Sequence, residues 1–181
     1  MTLPDFLPGD FWIDRATPDD EPTIELLLDA AFGADRQAKL SYRYRDKVEP
    51  VPELKLVART SSELVGTVRC WPIAIGSAFA PALLLGPLAV APAHQGRGIA
   101  RALMRRVLDL ATGAGHNLVL LVGDPAFYRP LGFVPAARFG ISMPNENSVR
   151  VQVKELVPHA ADGVSGTITR WGWVRDSGRA A

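Results

Sequence analysis

The sequence predicts an α/β fold with a mixed central sheet, and three observations predict it. The run LLLGPLAV (83–90) is short, apolar and bounded by turn signals, which suits a buried strand. Beyond the turn AHQGRG, Ile99, Leu103, Val107 and Leu110 recur at helical spacing while Arg101, Arg105 and Asp109 share another face. The continuous apolar run NLVLLVG (117–123) follows, as a parallel strand covered on both faces reads. Strand, helix and strand make one right-handed crossover, and strand-like runs on both sides of it make the sheet mixed.

Taken in order, FWIDRA (11–16) reads as a first strand. Thr17 is placed as an N-cap, with Pro18 at the first helical position and Asp20 where a capping-box acid stands. A helix follows with Ile24, Leu27, Leu28 and Ala31 inward; Pro22 delays or bends its start and Gly33 ends it. DRQAKLSYRYRD (35–46) is expected to form a second, more polar helix. ELKLVART (53–60) and ELVGTVRCWPIAI (63–75), separated by Ser61 and Ser62, form an antiparallel hairpin. In the fourth strand, Gly86-Pro87 demands an edge or a bulge, because proline gives no ladder hydrogen bond. A bulge splays this strand from the fifth and frees backbone groups of Leu88, Ala89 and Val90. Gly113 and Gly115 stop the crossover helix. FGISM, VRVQVKEL and GTITRWGWV supply the remaining strands, and RDSGRAA reads as a frayed tail.

The chain has 181 residues, 48% of them apolar, enough for one domain spanning 1–181 with a core over about 11–174. Twenty basic and nineteen acidic residues leave a formal charge of +1, so no strong field favours nucleic acid or an anionic membrane. The single cysteine, Cys70, excludes an internal disulfide and any multi-cysteine metal site, and it fits a reducing cytoplasm. His94, His116 and His159 have no metal-ligand spacing, so no metal is expected and all three are read as surface or loop residues. MTLPDFLPGDFW lacks a basic region before an apolar stretch, and no run reaches the roughly 20 apolar residues of a membrane span. Neither export nor membrane insertion is expected.

The turn AHQGRG carries the chemistry. A helix start leaves N–H groups without intrahelical partners at the positive end of the macrodipole. Glycines let backbone approach a ligand closely, so the turn is a candidate phosphate cradle, with an ordinary glycine-rich turn as the alternative. A dinucleotide fingerprint needs a small residue where Arg101 stands, and a P-loop needs Gly-Lys-Ser/Thr where Gly98-Ile99-Ala100 stands. Both fail. Gln95-Gly96-Arg97-Gly98-Ile99-Ala100 resembles instead the Gln/Arg-x-x-Gly-x-Gly/Ala signature of the Gcn5-related N-acetyltransferase (GNAT) family. FYRPLGF (127–133) resembles the family's downstream Phe-Tyr-x-x-x-Gly-Phe element at a suitable separation. With RATPDDEPTIELLLDAAFG at the front, the chain is similar to the bacterial branch typified by the YhbS-like proteins, most closely over about 83–135.

The resemblance implies a mostly antiparallel central sheet with a splayed parallel strand pair and helices on both faces. It implies acetyl-coenzyme A as co-substrate, its pyrophosphate on the amides of Gln95, Gly96, Arg97, Gly98, Ile99 and Ala100, and its pantetheine arm on Leu88, Ala89 and Val90 in imitation of a strand. Arg97 is preferred to Arg101 for an added phosphate contact. The acceptor is a small-molecule or peptide amine. Two positions depart from the family: Leu121 stands where many members carry an asparagine, and LLLGPLAV lacks the carboxylate that many use as a base.

Acetyl transfer needs a neutral amine, a polarised carbonyl and a proton for the leaving thiolate. Tyr128 is the candidate acid, because a phenol with a pKa of about 10 stays protonated at neutral pH; its alternative is packing. A backbone N–H at Leu88 or a neighbour would polarise the carbonyl. Asp124 is the candidate base, or else a turn aspartate before Pro125, and Glu146 in the MPNENS loop is a second. Cys70 beside Trp71 is read as core rather than nucleophile. Tyr42, Tyr44, Phe139, Trp171 and Trp173 are candidates for an acceptor pocket, and the two tryptophans would serve a homodimer if exposed. Two readings stand at this point: an N-acetyltransferase working by direct transfer in a ternary complex, and a non-catalytic acyl-coenzyme A-binding or regulatory module.

Overall fold

Alternating burial along one hairpin decides where the helices sit. Strands β2 (Leu56–Arg59) and β3 (Leu64–Ile75) pair antiparallel. Leu56 and Ala58 share a core with Ile99, Leu103, Met104 and Val107 of helix α2 (Ile99–Gly113), whereas Val57 between them packs with Ile24, Leu27 and Leu28 of helix α1 (Glu21–Phe32). Side chains one residue apart on a strand point to opposite faces, so the helices cover opposite faces. Burying a side chain such as Leu103 or Val107 contributes about 1.5–3 kcal/mol.

This computed structural model describes residues 11–38 and 40–172; Trp173 and the tail RDSGRAA lie outside the described residues. The sheet runs β1-β2-β3-β4-β5-β8-β6, with β1 at Trp12–Arg15, β4 at Ala80–Val90, β5 at Leu118–Val122, β6 at Val134–Pro135 and β8 at Val151–Glu155. The distal end of β3 also pairs with β9 (Gly166–Arg170), which runs parallel to the two-residue β7 (Ile141–Ser142). Within the main path only β4 and β5 are parallel neighbours. This is the mixed sheet that the sequence predicts, mostly antiparallel with a parallel pair at β4 and β5 as the family resemblance implies. No helix among the described residues is long and apolar enough to cross a membrane.

At the front, Thr17 precedes a short 3-10 turn (Pro18–Asp20), and α1 starts only at Glu21, one residue before Pro22. The Asp20 carboxylate accepts from the Thr17 N–H at 2.7 Å, and Arg59 Nη2 donates to it at 2.7 Å. Burial opposes its ionisation, but these donors win and hold its carboxyl below the usual carboxylate range.

Four local expectations need correction. Ala31 is exposed, because the inner stripe of α1 ends at Leu28. The chain at 53–54 is part of a 3-10 turn (Pro52–Leu54), so β2 starts at Leu56, while β4 starts earlier than expected, at Ala80, extended by pairing with Ile75. The short β6 has no sequence signal of its own and forms by pairing with β8. Residues 35–46 do not form an α-helix but two 3-10 turns, Arg36–Ala38 and Leu40–Tyr44. The reason is Arg36, whose side chain is buried against α1: Nε donates to Asp29 at 2.7 Å, Nη1 to the Tyr42 hydroxyl at 3.0 Å, and Nη2 pairs with Glu25. These tertiary ties outweigh the modest helix propensity of the segment.

Candidate functional site

The Gly86-Pro87 pair opens the sheet. Val68 faces Leu88 and Cys70 faces Leu85, so three steps along β4 oppose two along β3, which is a bulge. Parallel pairing with β5 is confined to Leu83 and Leu84. Beyond it lies a cavity of about 600 Å³, walled by Gly86, Pro87 and Leu88 on the β4 side and by Gly123, Asp124 and Tyr128 on the β5 side. The register also decides which backbone groups face it. Ala91 donates to Val65 O at 2.8 Å, so pairs alternate from there: Ala89 opposite Thr67 turns its N–H and C=O to β3, while Leu88 and Val90 turn theirs away. Of the three residues expected to offer backbone groups, Ala89 is therefore set apart from Leu88 and Val90.

The glycine turn lies beside this opening. Gln95 Nε2 donates to Val90 O at 3.2 Å and ties the turn to the strand. Gly96 and Gly98 have φ of 77° and 82°, values that side chains rarely adopt, and a Cβ at either would meet no atom within 4 Å. No side chain caps α2, and the first helical hydrogen bond runs from Ala102 N to Gly98 O at 3.0 Å. The N–H groups of Ile99, Ala100 and Arg101 thus have no intrahelical acceptor. They border a second cavity of about 330 Å³ whose lining includes Gln95, Gly96, Gly98 and Arg101. Arg97 and Arg101 are both exposed, and of the two only Arg101 lines this cavity. Phe127 borders both cavities.

Tyr128 closes the short helix α3 (Pro125–Tyr128). Asp124 caps that helix: its Oδ1 accepts from Ala126 N at 2.9 Å. The Tyr128 ring packs edge-on against Phe127 and Phe133, with centroids 4.8 and 5.8 Å away. Burial pushes its phenol up to about 12, against a smaller opposing effect of Arg150. Asp124, Glu146 and Arg150 border the same cavity. Glu146 accepts from Asn147 N at 3.1 Å, and Leu121, the departure from the family's asparagine, is a buried core residue.

Gly123 makes room for the tyrosine. A Cβ there would lie 2.1 Å from Tyr128 Cε2, and the backbone itself is unstrained, so the constraint is steric alone. Gly123→Ala is expected to displace the ring and slow any reaction that uses Tyr128 by about tenfold or more, a cost typical of misplacing one catalytic group. Adding Gly123→Ala to Tyr128→Phe should then cost little more, because both changes remove the same contribution. Steady-state rates of the four proteins check this, and additive losses would separate Gly123 from Tyr128.

Of the other candidates, Tyr42 lines the 600 Å³ cavity, whereas Tyr44 and Phe139 pack against a core cluster that includes Ile73, Leu84, Leu120 and Val153, and Trp171 is exposed. Cys70 is buried in the core under α2, and burial pushes its thiol well above the usual thiol range. Cys70→Ala is expected to keep turnover while lowering stability by about 1–2 kcal/mol, measured by denaturant unfolding. A folded variant without turnover would make the thiol a participant. Among the described residues no three His, Cys, Asp or Glu side chains gather as a metal site. The sequence reading missed Arg45, which lines the cavity beside Tyr42; its only trace there is the interleaving of arginine and aromatic residues in SYRYR.

Comparison with known proteins converges on one family. Residues 13–136 match the family model described as "Acetyltransferase (GNAT) domain". The chain is 32% identical to the "Uncharacterized N-acetyltransferase YhbS" of Escherichia coli (strain K12) over 154 residues, which is 83% of this chain and 90% of that one. Its fold matches the crystal structure of Escherichia coli YhbS in complex with CoA at a TM-score of 0.79 and 30% identity, covering 91% and 92% of the two chains. A GNAT family acetyltransferase from Brucella melitensis, solved with acetyl-CoA, matches at a TM-score of 0.67 and 27% identity, covering 90% and 96%.

Proposed function

The chain belongs to the GNAT acetyltransferase family, and from that premise we propose that it moves the acetyl group of acetyl-coenzyme A directly to an amine within a ternary complex. Acetyl-coenzyme A is its co-substrate, as the CoA and acetyl-CoA bound by the two structural relatives support. The pyrophosphate rests on the glycine turn and the free N–H groups of Ile99, Ala100 and Arg101. The pantetheine arm enters the opening between β4 and β5, where Leu88 and Val90 offer backbone groups as a strand would.

The single observation that carries the transferase reading is Tyr128 bordering that opening with its phenol held protonated by burial. The neutral amine nitrogen bonds to the thioester carbonyl carbon, and the oxygen that becomes negative accepts from the Leu88 N–H. The C–S bond then breaks, its electron pair leaves on sulfur, and Tyr128 protonates the thiolate. The ammonium proton departs to water or to Asp124, which borders the cavity, with Glu146 as the alternative. A cysteine relay is unnecessary, since Cys70 lies in the core.

The test is a panel of amines with detection of released thiol. Acetyl-coenzyme A alone should release thiol slowly, and particular amines should raise the rate while acetylated amine accumulates. Coenzyme A binding with no amine raising the rate would favour a binding or regulatory module.

A further inference from the structure

Arg36 and Arg69 are buried beside α1 and both are neutralised, whereas Arg45 is half-buried with its Nε and Nη1 shut off from solvent. Arg36 pairs with Glu25 and Asp29, and Arg69 with Glu21 and Glu25. Arg45 is the exception. It forms no ion pair with any described carboxylate, and its buried Nε and Nη1 have no hydrogen-bond partner among the described residues. Its guanidinium carbon sits 4.4 Å from the Tyr42 ring centroid and 4.9 Å from that of Trp71. Stacking of this kind leaves the in-plane donors of the fork unmatched. Burial pulls the group down to about 10, against smaller opposing effects of the Tyr42 hydroxyl and Cys70. A guanidinium left in this state costs free energy, so its presence calls for a partner that the chain does not supply.

The position says what kind of partner. Arg45 lines the same 600 Å³ cavity as Tyr128, and its Nη2 would be 3.5 Å from a Cβ placed on Gly86, in the bulge. It stacks on Trp71 of β3, whereas Asp124 and Tyr128 follow β5, so the opening lies between the cation and the acids. The phosphate cradle has its own cavity at the start of α2, which Arg45 does not line. An acceptor in the larger cavity thus meets a planar donor fork toward β3 and, toward β5, the carboxylates of Asp124 and Glu146 with Arg150 beside them.

We propose that Arg45 is an anchor for the acceptor and that the acceptor is a primary amine carrying a carboxylate, which the guanidinium fork holds while the amine faces Tyr128 and Asp124. The planar, two-toothed match of guanidinium to carboxylate selects this anion, and the acids on the far wall draw the ammonium end. This rests on the transferase reading for the amine's fate but not for the carboxylate's binding.

The test uses the protein amino acids, each as the free acid and as its carboxamide, with the full chain in the presence of coenzyme A for binding and acetyl-coenzyme A for turnover. At least one acid should bind about 10- to 100-fold more tightly than its carboxamide, the range of a charged hydrogen-bonded pair. In Arg45→Met that ratio should fall to near one, and Arg45→Lys should restore only part of it, because lysine keeps the charge without the fork. Melting curves confirm that both variants are folded, and the lysine variant retains a cation beside both rings. Equal binding of every acid and carboxamide, or a ratio that survives in Arg45→Met, overturns the proposal. Acids that bind through Arg45 yet are never acetylated would overturn the transferase reading and leave the anchor standing. Carboxamides acetylated as fast as acids would do the reverse.

Discussion

Gly98→Glu loses coenzyme A binding by about 10²-fold or more, and it does so in a folded protein. A side chain at this position meets no atom within 4 Å, so it enters the open volume of the cradle instead of the core. There the carboxylate takes the place meant for phosphate oxygens, in front of the free N–H groups of α2. The backbone at φ 82° is strained for any L residue, at about 1–2 kcal/mol. Gly98→Ala pays that backbone cost without bulk or charge. Calorimetry should therefore find binding retained in the alanine variant and lost in the glutamate variant, with similar melting curves. Equal affinity in parent and glutamate variant would move the cofactor away from this turn.

Tyr128→Phe slows turnover by about 10²–10⁴-fold with coenzyme A affinity almost unchanged. The substitution keeps the ring between Phe127 and Phe133 and deletes only the proton. A packing role would instead leave turnover near that of the parent. The raised pKa adds a pH signature. A phenol at its ordinary value of about 10 would lose its proton, and the rate with it, as pH rises through 10. Burial moves Tyr128 up to about 12, so the proton stays in place across that range, and the pH–rate profile should show no falling limb near 10. A limb there that disappears in Tyr128→Phe would mean that the phenol is solvated.

Where a residue's role follows from its neighbours in sequence, it was legible. Ile99, Leu103 and Val107 announce the buried face of α2 by spacing, and all three are buried. Gly86-Pro87 inside an apolar strand demands an edge or a bulge, and β4 has a bulge there. Gly96 and Gly98 before that helix mark a turn needing positive φ. Where the role depends on pairing or on distant chain, the sequence is silent. Ala89 looks equivalent to Leu88 and Val90 until the register with Thr67 assigns its amide to β3. Arg97 and Arg101 look alike in sequence, but Arg97 lies in the glycine turn and Arg101 on the first turn of α2, where it lines the cavity. Arg45 reads as one more surface cation, because Trp71 and Gly86, which it lies against, belong to strands far along the chain. The same holds for Arg36, whose ties to α1 replace a helix that local propensity favours.

Direct transfer between two bound substrates is the central claim, and initial rates over a grid of acetyl-coenzyme A and amine concentrations test it most directly. A ternary complex predicts double-reciprocal lines that intersect, with unmodified protein recovered after incubation with acetyl-coenzyme A alone. Parallel lines, together with an acetyl group found covalently on the protein and passed on to added amine, would contradict it.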